Sequence, residues 1–173
     1  MDIFNVIKGR RSVRSFTEKP VPEDLLEKVL ESATYAPSAG NIQPWEIILV
    51  KEEGTKRRLA EAALHQYFIA EAPVVIVVCA NQGMSERVYG YRGSTLYCIQ
   101  DTAAAIQNML LTAYALGLGA CWVGAFKEDL VRDVLKIPSG VRPVAIIPIG
   151  WPAEKPSKPR KRALNSILHY ERY

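Results

Sequence analysis

The sequence predicts one α/β or α+β domain built on a mixed sheet, and three observations carry that prediction. Strand-like stretches alternate with stretches of helical apolar periodicity along the whole chain. Val74 to Ala80 is continuously apolar and mostly β-branched, as in a central strand covered on both faces. Thr95 to Leu116 is the longest helical stretch, and Ala103, Ile106, Met109, Leu110 and Ala113 make it apolar on more than one face. Such a helix suits the middle of a domain or a subunit interface. At 173 residues the chain can bury roughly 70% of its unfolded surface, and no repeat or linker divides it.

The other elements follow in order. Asp2 to Gly9 reads as a short helix with Ile3, Phe4 and Ile7 on one face, ended by Gly9. Arg10 to Phe16 alternates like an extended segment. Pro22-Glu23-Asp24 opens a helix, because proline suits a first turn and acids suit the positive end of the dipole. Leu25, Leu26, Val29, Leu30 and Ala33 give it an apolar face, and Pro37 stops it. Ala36 to Pro44 is a polar loop, and Trp45 to Val50 a strand. Thr55 to about Ala70 reads as one helix with Thr55 as its N-cap. Asn81 to Gly93 is loop-like. Cys121 to Gly124 is a short strand, Glu128 to Leu135 a helix and Val144 to Gly150 a buried strand. The Pro- and Lys-rich segment after Trp151 forms an extended arm over residues 155–173.

Composition excludes several classes. With 23% charged and 9% aromatic residues, disorder, collagen and coiled coil fit poorly. No apolar run approaches the ~20 residues of a membrane span. An acid stands second, with no apolar leader behind it, so a soluble cytoplasmic protein is expected. Cys79, Cys98 and Cys121 are far apart without CxxC spacing, which disfavours zinc, a redox pair or a disulfide framework and favours buried thiols. His65 and His169 lack metal-ligand spacing. Neither GxSxG nor GxxxxGK[ST] occurs, and Gly117-Leu118-Gly119 lacks the third glycine of a dinucleotide fingerprint. Asp101 suits a cap, a salt bridge or an interface better than acid catalysis.

The net charge of +4 is concentrated at the ends of the chain. Lys8, Arg10, Arg11 and Arg14 stand together without an acid, and Lys155, Lys158, Arg160, Lys161, Arg162 and Arg172 face Glu171 alone. No helix-turn-helix, zinc-finger or RNP pattern accompanies them, although a nucleic-acid partner remains one reading. In an extended Arg10–Arg14 segment, Arg10, Ser12 and Arg14 point to one side and make a phosphate clamp; a solvated basic turn is the competing reading. The loop Ala36–Trp45 groups Ser, Asn and Gln beside glycine and tryptophan. Amides that both donate and accept suit a heterocycle edge, as an ordinary connection would also allow. Arg160-Lys161-Arg162 is a second clamp or a solubilising tail.

Eight pieces, in this order, resemble the nitroreductase family of FMN-dependent oxidoreductases in its short form. They are Arg10-Arg11-Ser12-Val13-Arg14, Ala36 to Trp45, Ala72 to Val78, Asp101 with Gln107 to Leu111, Ala115 to Gly119, Trp122 to Phe126, Pro148 to Trp151 and Lys158 to Arg162. The resemblance implies an α+β sandwich with a mixed, mainly antiparallel central sheet flanked by helices. It further implies a domain-swapped homodimer with FMN at the subunit interface and NADH or NADPH as electron donor. Carried over by position, Arg10, Arg11, Ser12 and Arg14 would hold the FMN phosphate or ribityl chain, with Arg160 and Arg162 closing over the phosphate. Pro37, Ser38, Asn41 and Gln43 of the partner subunit would meet the flavin edge, and backbone N–H groups at Gly124 and Ala125 would approach its N5/O4 region. His65 and Gln66 fall near a stretch that contacts the flavin in relatives. The implied activity is ping-pong reduction of nitroaromatics, quinones or similar planar acceptors, with no metal, nucleic acid or membrane partner. Other flavin chemistry, such as reductive dehalogenation or flavin breakdown, and a non-catalytic FMN- or nucleic-acid-binding role are the alternatives.

Overall fold

Val74–Asn81 forms strand β2, and its seven leading residues are all buried. The computed structural model describes residues 2–173; Met1, part of the single-domain expectation, lies outside them. Strand β1 (Trp45–Val50) pairs with one edge of β2 and strand β4 (Val141–Gly150) with the other, while the two-residue β3 (Gly119–Ala120) extends the far edge of β4. The order is therefore β1-β2-β4-β3, and every ladder is antiparallel. Among the described residues, the parallel element of the expected mixed sheet is a single bridge, Ser12 to Ala120.

The sheet is the middle layer of three. Val74, Ile76 and Val78 of β2, with Ala145, Ile147 and Ile149 of β4, pack on Leu26, Val29 and Ala33 of α2 (Glu23–Thr34) and on Ile106, Met109 and Ala113 of α6 (Cys98–Ala115). The alternate residues Val75, Val77 and Cys79 face Leu59 and Ala60 of α3 (Glu53–Ala62), Ile69 of α4 (Phe68–Glu71) and Val131 of α7 (Glu128–Leu135). A strand filling two cores cannot alternate apolar with polar, which accounts for its unbroken apolar sequence.

Two expected elements differ. The helix expected from Thr55 to Ala70 is two helices, because Leu64 and His65 take left-handed φ values of 58° and 61° between α3 and α4. Its N-cap is Glu52, whose carboxylate accepts from the Gly54 and Thr55 N–H groups at 2.8 and 2.5 Å. The Thr55 side chain, followed by the Gly54 and Thr55 N–H groups, holds the Glu52 carboxyl below its ordinary value by hydrogen bonding. The expected loop after Asn81 is helix α5 (Gln82–Arg92), capped by Asn81 through the Met84 N–H, kinked at Gly90 and continued by a π-helical turn at Gly93–Tyr97. It has no apolar face to betray it, since only Ser85 is buried and Val88 and Tyr91 are exposed.

The strand before α7 also shifts. β3 lies at Gly119–Ala120, and the segment expected as a strand keeps one bridge, Val123 to Ile146. The short first helix, α1 (Ile3–Gly9), is capped by Asp2 and exposes Ile3, Phe4 and Ile7. Trp151 starts the arm by donating to the Pro20 carbonyl at 3.1 Å, while every residue from Ser157 to Tyr173 is exposed. No helix among the described residues is long and apolar enough to cross a membrane.

Candidate functional site

The arginine segment is stitched to the sheet edge. Arg10 ends α1 with its N–H on the Val6 carbonyl, and the chain then runs extended beside β3. Ser12 bridges Ala120, Phe16 bridges Pro152, and the Arg14 N–H donates to Glu154 Oε1 at 2.5 Å. Gly119 allows this approach: a Cβ there would stand 2.8 Å from Val13 Cγ1. Extended geometry sends Arg10, Ser12 and Arg14 to the same side, and all three line one cleft. Burial pushes the Cys121 thiol up, while the Arg14 charge, a hydrogen bond with Ser12 and the Arg10 charge pull it partly back.

These side chains open on a cleft of about 760 Å³ whose lining includes Lys8, Arg10, Arg11, Arg14, Lys158 and Lys161. Among the described residues none of the six forms an ion pair with a carboxylate. The Arg11 role differs from that of its neighbours: its Nη1 turns back on the Lys8, Gly9 and Arg10 carbonyls at 2.8 to 2.9 Å and so caps the C-terminus of α1. Arg160 and Arg162 stand apart from Arg10 and Arg14. They line a separate concavity of about 450 Å³, and Arg162 donates to the Ser166 carbonyl at 2.6 Å. Lys161 lines both spaces. Lys161 belongs to the second clamp read from the sequence, whereas Lys8 and Lys158 stand there only as members of the two basic runs.

The amide-rich loop forms a different part of the surface. After Pro37 the chain makes a 3₁₀ turn, Ala39–Asn41, in which Gly40 and Asn41 are left-handed (φ 55° and 56°), and Gln43 is left-handed again (φ 55°). Such φ values cost non-glycine residues energy and persist only when neighbouring contacts enforce them. Ser38 Oγ accepts from the Gln43 N–H at 3.0 Å, and Gln43 Nε2 donates to the Asn41 carbonyl at 3.3 Å. Asp101 Oδ1 accepts from the Ala39 N–H at 3.1 Å, a cap delivered from another helix. Tyr89 of α5 lays its hydroxyl so close above Gly40 that a Cβ there would meet it at 2.4 Å.

Gly124 and Ala125 occupy a third place. Val123 exchanges two hydrogen bonds with Ile146, and the turn that follows is held by Gln66, whose Nε2 donates to the Ala125 carbonyl at 3.2 Å and to Ala63 at 2.8 Å. His65 turns instead to the Tyr67 hydroxyl, 3.2 Å from its Nδ1. Gly124 borders a groove of about 200 Å³ with Ile99, Phe126 and the bidentate Arg142–Glu128 pair. Within one chain, the residues that line the arginine cleft and those that line the Gly124 groove do not overlap, and neither lining includes Ser38, Asn41 or Gln43. No cluster of three or more metal-ligating side chains occurs among the described residues.

The nitroreductase family model matches residues 7–68 and 62–151, which takes in the arginine segment, the amide loop and the Gly124 turn. The chain belongs to the nitroreductase family. Among relatives of this nitroreductase-family chain, a Methanothermobacter thermautotrophicus protein, named provisionally as NADH dehydrogenase/NAD(P)H nitroreductase, is 38% identical over 160 residues. That alignment covers 90% of this chain and 80% of the relative. The Bacillus subtilis FMN reductase [NAD(P)H] is 27% identical over 186 aligned positions, covering 99% of this chain and 74% of its own. The solved structure of B. megaterium NfrA2 superposes with a TM-score of 0.93 at 27% identity, covering all of this chain and 76% of that one.

Proposed function

We propose that this protein is an NAD(P)H-dependent FMN oxidoreductase that reduces nitroaromatics, quinones or similar electron-poor planar acceptors by a ping-pong scheme. The single observation that carries this reading is the cleft of six cationic side chains around Ser12, free of ion pairs among the described residues, on an extended segment bridged to the sheet edge. Its donor set fits a phosphate ester, since guanidinium forks and a hydroxyl match phosphate oxygens in charge and geometry. The names of the relatives, which pair NAD(P)H with nitroreductase and FMN reductase, support the same cofactors.

Bound FMN supplies hydride acceptance and electron delivery, chemistry that the side chains here lack. Arg10 and Arg14 would neutralise its phosphate, Ser12 would donate to it, and Arg160 and Arg162 would close over it from the arm. The Ser38 hydroxyl and the side-chain amides of Asn41 and Gln43 would bond the ring edge from the partner subunit, beside Pro37. Backbone N–H groups at Gly124 and Ala125, on the turn that Gln66 braces, would approach the flavin N5/O4 region. No side chain in the three regions is needed as a general acid or base. A ping-pong scheme would have the nicotinamide and the acceptor use the same site in turn.

A homodimer is part of this reading. Exposed Ile3, Phe4 and Ile7 on α1, together with Leu164, Ile167 and Leu168 on the arm, are apolar groups that a second copy would cover. The dimer joins the three regions that one chain holds apart. The cytoplasm, which supplies NAD(P)H, is the compartment that goes with it.

Visible absorption spectra of the purified protein, taken without oxygen before and after NADH or NADPH, test the proposal. A flavin spectrum that bleaches with the nicotinamide and returns with a quinone is the expected result. A protein that binds no FMN after reconstitution overturns it.

A further inference from the structure

We propose that Asp101 is a positioning residue for the flavin-facing loop: from the first turn of α6 it holds the Ala39 N–H and so fixes the left-handed run that presents Ser38, Asn41 and Gln43. This rests on the FMN reading given above. The carboxyl is 7% exposed, and its Oδ1 accepts from an amide 62 positions earlier in the chain. Its Oδ2 is buried with no hydrogen-bonding partner.

The cost of that arrangement is the argument for it. A buried carboxyl oxygen without a donor is destabilising, and such groups are rare in proteins. Burial also pushes the Asp101 carboxyl up, with the Ala39 N–H opposing. An apolar residue would suit this part of α6 better for packing alone. What Asp101 provides is a hydrogen-bonded tie between a helix packed on the sheet and the front of a loop that Tyr89 otherwise only touches at Gly40. The Ser38–Gln43 and Gln43–Asn41 bonds lie within the loop and cannot fix it relative to the core. The rear of the loop is fixed where the Asn81 N–H donates to the Pro44 carbonyl at 2.7 Å. Asp101 therefore serves as the forward anchor, and Gly40, Asn41 and Gln43 adopt strained φ values between the two ends.

The bond can be broken from either side. Asp101→Ala removes the acceptor, whereas Asp101→Asn keeps an acceptor oxygen and removes the charge. Ala39→Pro removes the donor and leaves Asp101 in place. Proline suits the first position of a turn, and Ser38 before it is already extended (φ −142°, ψ 154°) as a pre-proline residue requires. Amide hydrogen exchange of the apoprotein and FMN affinity by fluorescence titration are then measured for wild type and each variant.

The expected result is faster exchange confined to residues 38–43, with FMN binding about tenfold weaker, in Asp101→Ala and Ala39→Pro. Asp101→Asn keeps both properties within about threefold, and the double variant Asp101→Ala with Ala39→Pro is no worse than the poorer single variant. If Asp101→Ala fails to fold, Ala39→Pro carries the comparison against Asp101→Asn. Unchanged FMN affinity in variants with a freed loop overturns the proposal. So does an Asp101→Asn variant that loses FMN while its loop stays protected, which would make the charge the agent. Absence of FMN binding by the wild type overturns the functional reading instead, and the exchange data still report the Asp101–Ala39 tie by themselves.

Discussion

The Val13 N–H donates to the Ala120 carbonyl at 3.0 Å, and this one bond sets the register of the arginine segment against the sheet edge. With Val13 turned into the protein, its neighbours Ser12 and Arg14 must turn outward. The proposed clamp is thus aimed by backbone geometry, with no need for its own side chains to pack.

Substituting Arg10 tests the clamp. Arg10→Ala removes a charge-assisted contact of about 1.5–3 kcal/mol, so FMN binding should weaken roughly 10- to 100-fold. The melting temperature of the apoprotein should barely move, because Arg10 makes no ion pair in the described structure. Fluorescence titration at two salt concentrations checks this, and the wild type should show the steeper salt dependence.

The separation of the arginine cleft from the amide loop within one chain makes a second prediction. Homodimers of Arg10→Ala and of Gln43→Ala should each hold FMN poorly. Mixed dimers of the two variants, formed by co-expression and separated by different tags, should regain one intact site each. Flavin content of the purified mixed dimer decides the matter, and no gain over the parents excludes a site shared between subunits.

Thiol chemistry should be silent in the folded state. Cys79, Cys98 and Cys121 are buried, and burial pushes all three thiols up, that of Cys79 to about 12. Below its raised folded value each thiol stays protonated, so the thiolate that reacts with alkylating reagents is scarce at pH 8. Mass spectrometry should find no labelling of native protein at that pH and three labels after denaturation.

Truncation after Pro156 should separate assembly from folding. The removed residues 157–173 are exposed throughout and contribute nothing to the buried core. Far-ultraviolet circular dichroism should therefore retain the helix and sheet signal. Analytical ultracentrifugation should show a smaller dimer fraction, and FMN content should fall with the loss of Lys158, Arg160, Lys161 and Arg162.

The elements legible in the sequence were those whose chemistry is local. Val74 to Ala80 announced β2 because a strand covered on both faces has no choice but apolar residues, and Pro22-Glu23-Asp24 announced α2 through its first turn. Arg10, Ser12 and Arg14 declared themselves by alternation alone. Helix α5 stayed hidden because it buries a serine rather than an apolar stripe, and the break at Leu64–His65 because neither residue ordinarily takes a positive φ. The tie from Asp101 to Ala39 was illegible for another reason: its two ends are 62 residues apart and meet only after α6 has docked on the sheet. That Arg11 caps α1 depends on a side-chain direction that no spacing rule reports.

The pairing of Val74 with Ile149 has a consequence during synthesis. β2 leaves the ribosome well before its principal partner exists, and at about 5–20 residues per second the wait lasts roughly 4 to 15 s. For that interval only β1 can pair with an edge of the Val-rich segment, and its other edge stays open to any passing strand. The nascent chain is therefore most prone to aggregate in the last third of its translation, and chaperone occupancy on ribosome-bound intermediates should peak there and drop once β4 emerges.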